Sequence, residues 1–332
     1  MAARPRLHPA VRALGLAGAC ALALLASACA PGTGAPAFLD GLLTGAEDGQ
    51  AVVTPRGPLA LSRWRAERPR AVLLALHGYG DYGPSTYAEA AQAWAARGIE
   101  VYAYDQRGFG RNASNRRWPG EAALIEDLQA AATDVKSRHP DLPLFVAGHS
   151  MGGGVALAAA GEGRLPGVAG LVLLAPAVWG GETMNPLFRA SAWTAAQLMP
   201  DQRFSASASP VTIYPSDNIE MLRALSADPL HYANPSAREF LGLIRLMDRA
   251  WAAAPHDRLD TLVVHGANDQ VVPERSVRAA FERLPGPKEF AYVSTGWHML
   301  LRDLEAAEVH RTVGDWILER GLPAPQAAAL AD

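Results

Sequence analysis

Leu144-Phe145-Val146-Ala147-Gly148-His149-Ser150-Met151-Gly152-Gly153 is the stretch on which the reading of this 332-residue chain turns. A short apolar run leads into Gly-x-Ser-x-Gly, and an Ala-rich helical pattern over 155–162 follows. A strand that turns so sharply into a helix forces its serine into strained backbone geometry and lifts the hydroxyl clear of the sheet. Glycines flank the serine because any side chain there would clash. In a chain with 31 glycines the pentapeptide alone could be a neutral serine in a tight turn. Its strand-turn-helix setting is what makes it specific.

Outward from that turn, short apolar β-prone runs alternate with helical patterns. The runs are 71–76, 99–104, 144–147, 168–175, 262–265 and 289–293; the helical patterns are 86–97, 121–138, 155–162, 275–283 and 305–319. Such alternation predicts an α/β fold, a mostly parallel sheet of about eight strands with helices on both faces. Residues 51–54 and 59–65 add an antiparallel edge hairpin. The rhythm breaks once, over about 177–235, which carries Trp179, Met184, Phe188, Trp193, Leu198 and Met221. That segment is too long for a loop and too apolar for a disordered one. It reads as a helical cap inserted after the sixth strand, over the sheet edge where open α/β folds place their sites. A helix over 236–253 restores the rhythm.

A serine hydroxyl needs a base to take its proton, and the base needs a carboxylate to hold its tautomer. In this arrangement the acid and the histidine follow the nucleophile in the order Ser, Asp, His. Asp269 ends the strand 262–265 through Gly266-Ala267-Asn268, and His298 follows the last strand through Ser294-Thr295-Gly296-Trp297. Both fall on loops at the same sheet edge as Ser150. Asp105 also ends a strand, but it opens the turn Asp105-Gln106-Arg107-Gly108 and is expected to cap local amides. Glu182, after the sixth run, is an alternative acid. His77, His149 and His265 flank structural glycines and read as framework residues. No histidine pair has metal-site spacing, and no cofactor is expected. The backbone N–H groups of Met151 and of Tyr79, in His77-Gly78-Tyr79-Gly80, are the candidate donors to a developing oxyanion.

The same loop carries a rival signal. Gly78-Tyr79-Gly80-Asp81-Tyr82-Gly83 satisfies G-x-G-x-x-G after a strand, and Asp105 follows about twenty residues on, as in a dinucleotide fingerprint. His77 and Tyr79 put bulk at the tight turn, however, and Pro84 predicts a helix that starts only after the third glycine. In the fingerprint the helix starts within the glycine run, where its N-terminus meets the pyrophosphate. That reading also leaves Ser150, Asp269 and His298 without a role.

Composition sets the remaining bounds. A formal net charge of -3 gives no electrostatic reason for a nucleic-acid partner. Arg4, Arg6 and Arg12 precede an uncharged run from Ala13 to Ala28, about sixteen residues, which suits a signal-peptide core better than a spanning helix. Leu25-Ala26-Ser27-Ala28-Cys29 resembles a bacterial lipoprotein signal, in which Cys29 would be lipidated and become the new N-terminus. Ala26 departs from the Leu favoured three residues before the cysteine; ordinary secretory cleavage or a retained anchor helix are the alternatives. The only other cysteine is Cys20, so the processed chain would keep no thiol for a disulfide, a nucleophile or a metal. The expected organisation is a signal at 1–28, a tether at 29–40, one domain over 41–320 with its cap, and a tail at 321–332.

Taken together, the His77-Gly78-Tyr79-Gly80 loop, Asp105-Gln106-Arg107-Gly108-Phe109-Gly110, Gly148-His149-Ser150-Met151-Gly152-Gly153, Asp228-Pro229-Leu230, Gly266-Ala267-Asn268-Asp269 and Trp297-His298-Met299-Leu300 resemble the α/β-hydrolases. The resemblance is to their monoacylglycerol lipase and lysophospholipase-like (serine aminopeptidase S33-type) branch. It implies a carboxylic-ester hydrolase in which Ser150 is acylated, His298 is base then acid, and Asp269 orients His298. Monoacylglycerols, lysophospholipids or similar single-chain lipid esters would be the substrates. Tyr79 departs from the small residue common in that loop, and its ring would narrow the pocket if turned inward. An amidase, an aminopeptidase or a short-chain carboxylesterase of the same fold is the alternative. An amine-binding carboxylate would then be needed, with Glu182, Asp201, Asp217 and Glu220 as candidates. An inactive, membrane-tethered binding protein is the alternative of another class. The expected location is the periplasmic side of a bacterial envelope, membrane-anchored, or else soluble and secreted.

Overall fold

A computed structural model describes residues 46–113, 118–204, 213–232 and 234–321. The chain opens with an antiparallel hairpin of β1 (Glu47–Thr54) and β2 (Gly57–Trp64), whose turn is closed by Thr54 Oγ1 donating to Gly57 O at 2.8 Å. β3 (Ala71–Leu76), β4 (Ile99–Tyr104), β5 (Leu144–His149), β6 (Val168–Leu174), β7 (Asp260–Gly266) and β8 (Lys288–Val293) complete one sheet of order β1-β2-β4-β3-β5-β6-β7-β8. Strands β3 to β8 are mutually parallel, and the hairpin joins β4 antiparallel. β3, β4 and β5 are buried at every position, so they read as unbroken apolar runs because both faces are covered.

One face is covered by α1 (Gly83–Ala95) and α8 (Ala306–Arg320), whose Tyr87, Trp94, Val313 and Trp316 pack on Leu73 and Phe145. The other carries α2 (Glu121–Arg138), α3 (Met151–Gly161), α6 (Ala237–Ala253) and α7 (Glu274–Arg283) over Leu74, Val146 and Leu171. From β3 the chain moves to one side to form β4 and returns on the other side as β5. The loops after β3 and β5 therefore leave a topological switch point side by side, where this architecture opens a crevice.

The cap lies between β6 and β7 and contains α4 (Pro186–Leu198) and α5 (Ile219–Ala227). Phe188 of α4 meets Phe240 of α6 edge-on, with ring centroids 5.9 Å apart. α6 begins with a capping box: Ser236 Oγ accepts the Glu239 amide and Glu239 Oε2 accepts the Ser236 amide at 2.7 Å.

Two helix starts differ from expectation. α1 begins at Gly83, the third glycine, rather than after Pro84, because a proline in the first turn gives up only an N–H that the helix cannot use. The Gly83 amide is accepted by Asp105 Oδ1 at 3.0 Å. α3 begins at Met151, four residues earlier than its Ala-rich pattern: Gly152, Gly153 and Gly154 are poor helix formers, kept there for close packing. The signal at 1–28, Cys29 with the tether, and the tail from 322 lie outside the described residues.

Candidate active site

The turn from β5 into α3 holds Ser150 at φ 51°, ψ −114°, in left-handed territory that a non-glycine residue occupies only under constraint. The constraint is visible. Ser150 N donates to Leu174 O at 2.9 Å, and Ser150 O accepts the amides of Ala177 at 2.8 Å and Gly154 at 3.1 Å. A Cβ on Gly152 would stand 2.3 Å from Leu76 O, and one on Gly148 would stand 2.4 Å from Gly152 O. The two glycines let the helix start press against β3, and that approach lifts the serine off the sheet edge.

The other two predicted residues are in contact. The loops after β7 and β8 are zipped together by Ala267 N donating to Val293 O and Asn268 N to Gly296 O, both at 2.9 Å. That pairing brings His298 Nδ1 to 2.9 Å from Asp269 Oδ2. Asp269 Oδ1 accepts the amides of Val271 (2.7 Å) and Val272 (2.9 Å), and its carboxylate is fully buried. Burial disfavours its charge, but the imidazole of His298, the hydrogen bond to it and the Val272 amide win, holding the carboxyl below its ordinary range. An ionised Asp269 accepting from Nδ1 leaves Nε2 of His298 as the basic nitrogen.

Ser150 stands on the same edge, and its neighbour His149 links the two halves. His149 Nε2 donates to His298 O at 2.9 Å, with the two rings 5.1 Å apart. Burial, then the charge of His298, push His149 down to about 3, so it is a neutral framework donor. His77 is framework too: its Nε2 accepts the Gln106 amide at 2.7 Å. His265, also kept neutral by burial, places Nδ1 3.8 Å from Asp269 Oδ2, beyond hydrogen-bond reach.

The loop after β3 closes on Ser150 from the other side. A Cβ on Gly78 would lie 3.4 Å from Ser150 Cβ, so the backbone of this loop runs against the serine. Tyr79 is on that loop and Met151 opens α3, which places both residues of the predicted oxyanion pair around Ser150. The Tyr79 ring does turn inward and lines the pocket at Ser150. It packs edge-on to Phe109, and its hydroxyl donates to Glu239 Oε2 at 3.1 Å beside Tyr232 Oη at 3.0 Å. The cap's last residues stitch the loop in place through Tyr82 Oη donating to Asp228 Oδ2 (2.7 Å) and Tyr232 N to Gly80 O (2.8 Å).

The pocket at Ser150 is lined by Tyr79, Ala177, Trp179, Phe188, Phe240, Leu243, Met247, Val271 and Val272. Its open volume is about 40 Å³, small for an acyl chain. Trp179 and Phe188 stack within it at 5.8 Å and 7°. None of Glu182, Asp201, Asp217 and Glu220 lines this pocket, and Glu182 is exposed. Asp105 is engaged elsewhere, accepting from Gly83 N and from the amide and guanidinium of Arg111.

Sequence reasoning missed two buried acids near the site. Glu239 was findable, because Ser236-x-x-Glu239 is a capping-box pattern. Asp303, five residues after His298, has no local signature; only the fold shows that it bridges the His298 loop to the cap.

A family described as serine aminopeptidase, S33, matches residues 67–305. A monoacylglycerol lipase of Mycolicibacterium smegmatis is 32% identical over 263 residues, covering 75% of this chain and 89% of that protein. Human monoglyceride lipase is 24% identical over 265 residues, covering 76% of this chain and 84% of its own. Among solved structures, the monoacylglycerol lipase of Paleococcus ferrophilus superposes with a TM-score of 0.67 at 21% identity. It covers 79% of this chain and 99% of that one. The fold and the site thus define an α/β-hydrolase. The chain belongs to the serine aminopeptidase S33 family, in its monoacylglycerol-lipase-like branch, and is an ester hydrolase.

Proposed function

We propose that the protein hydrolyses single-chain lipid esters, monoacylglycerols and lysophospholipids among them, through an acyl-enzyme on Ser150. The observation that carries this reading is the wall of the Ser150 pocket, which among the described residues is aliphatic and aromatic, with no carboxylate to hold a substrate amine. Each buried methylene of an acyl chain gains about 0.8 kcal/mol in such a wall. His298 Nε2 takes the Ser150 proton as Oγ bonds to the ester carbon, and Asp269 stabilises the imidazolium. The Tyr79 and Met151 amides receive the oxyanion. Collapse breaks the ester C–O bond, and His298 hands its proton to the departing alcohol. Water, deprotonated by His298, then attacks the acyl carbon and frees Ser150 and the fatty acid.

A second reading, a short-chain carboxylesterase, is favoured by the small volume open at Ser150. The lipid reading requires α4 to shift so that the Trp179–Phe188 stack parts. Leu187, Trp193, Leu198 and Met199 expose apolar surface along and just beyond α4, which supports a cap that works near lipid. The same reading includes lipidation at Cys29 and anchoring on the periplasmic side of a bacterial envelope, motivated by the sequence at 4–29. An intact mass showing Cys29 free of acyl groups would remove the anchor. Comparing monoacylglycerol turnover with that of amino-acid amides tests the substrate class: faster esters are expected, and faster amides would overturn it.

A further inference from the structure

The returning arm of the cap, residues 213–218, is fastened to the loops that carry Asp269 and His298. Tyr214 N donates to Gln270 Oε1 at 3.1 Å, and Pro215 O accepts the amides of both His298 (3.0 Å) and Met299 (2.9 Å). Asp217 Oδ1 accepts the Leu304 amide at 2.9 Å, and Asn218 Nδ2 donates to Arg302 O at 3.0 Å. In the middle of this seam is Asp303, almost completely buried. Its Oδ2 accepts the Trp297 amide at 2.7 Å, one residue before His298, and its Oδ1 accepts the Ser216 hydroxyl at 2.7 Å.

Asp303 is an expensive way to make two hydrogen bonds. The neighbouring Arg302 is committed to Asp81 and Ser85, so it does not neutralise the charge. Burial, reinforced by repulsion from Asp217, outweighs the Ser216 and Trp297 bonds and the attraction of His298, pushing the carboxyl up to about 6. A buried acid kept beside a histidine loop at such cost points to a role in the reaction.

We propose that Asp303 is a positioning residue for His298: it locks the histidine loop to the cap's returning arm and lends its negative charge to the imidazolium. This inference rests on the reading of Ser150 and His298 above. Its consequence is that cap and base move as one body, so a cap displaced by substrate carries His298 with it.

The test is steady-state kinetics of full-length wild type, Asp303→Ala, Asp303→Asn and Ser216→Ala. Labelling by a fluorophosphonate probe and circular dichroism accompany each protein. Asp303→Ala is expected to lower kcat roughly 10–100-fold with KM little changed, the mark of a misplaced catalytic group. Ser216→Ala, which removes one hydroxyl and should fold, is expected to fall less. Asp303→Asn keeps an accepting oxygen for the Trp297 amide, turns its Nδ2 as donor toward the Ser216 hydroxyl oxygen, and removes the charge. It is expected between them, with an acid limb of kcat shallower than that of the wild type, in which Asp303 also takes up a proton as pH falls. Folded Asp303→Ala and Ser216→Ala proteins with wild-type kcat would overturn the proposal, as would identical acid limbs in wild type and Asp303→Asn. Labelling that is present in wild type and absent in Ser150→Ala secures the underlying mechanism separately, so a failure here falls on Asp303 alone.

Discussion

Ser150 and Asp303 are both unfavourable residues held where they are by their surroundings, one by backbone strain and one by buried charge. Their stability effects differ in kind from those of Asp269. Asp269 has its carboxyl lowered, so its ionised form stabilises the fold above its ordinary value of 3.8, and that gain is lost as pH falls. Asp303 has the opposite sign. Its folded value of about 6 lies above the ordinary 3.8, so between them the folded chain holds the extra proton. Stability from this group is therefore greatest below about pH 4 and is lost as pH rises through about 6. Asp303→Asn, which removes the buried charge, is expected to be about 1–3 kcal/mol more stable than wild type at pH 8, with the advantage vanishing near pH 4. Urea unfolding at the two pH values measures this. A less stable variant at pH 8 would mean that the ionised carboxylate is favourable where it sits, against its raised value. The sequence displayed Ser150, Asp269 and His298 as candidates because each has a motif around it: glycines at 148 and 152, Gly266 before Asp269, Trp297 before His298. Asp303 has none, since Ser216 meets it only through a tertiary contact and the Trp297 bond depends on how the loop between them folds.

Among the elements, β3, β4 and α2 coincide with their sequence patterns to the residue, because a buried strand and a long amphipathic helix write continuous signals. α3 did not, because its first turn is glycine, and the cap was legible only as an apolar segment without strand rhythm. Its helices α4 and α5 are short, and their faces are set by what they cover. Phe188 of α4 and Trp179 from the loop after β6 close the space at Ser150 between them. Replacing either with alanine is therefore expected to move the ester chain-length optimum upward by several carbons, while Ser150 reactivity toward an acetyl ester stays within about threefold, because Ser150, Asp269 and His298 keep their own contacts. A p-nitrophenyl ester series reads this directly. An unchanged optimum with slower turnover of every ester would assign the stack to support of the site instead.

At the scale of the whole molecule, the parallel sheet fixes three loops on one edge, and the cap is laced to each of them. Asp228 and Tyr232 hold the loop after β3, Tyr214 holds the loop after β7, and Pro215 and Ser216 hold the loop after β8. The cap is thus fastened to the loops of the candidate site as well as roofing the pocket, and it also carries exposed Leu187, Trp193 and Leu198. The alternation of strands and helices made the sheet readable from sequence; the lacing was not, because it joins residues far apart in the chain, by isolated side-chain bonds without a local pattern and by backbone groups that any side chain could accompany. The most direct test of the account is hydrolysis of p-nitrophenyl esters from acetyl to palmitoyl by the full-length protein and by Ser150→Ala. The rate is expected to peak at medium or long chains and to fall by roughly four to six orders of magnitude in Ser150→Ala. Turnover that survives intact in Ser150→Ala would contradict it.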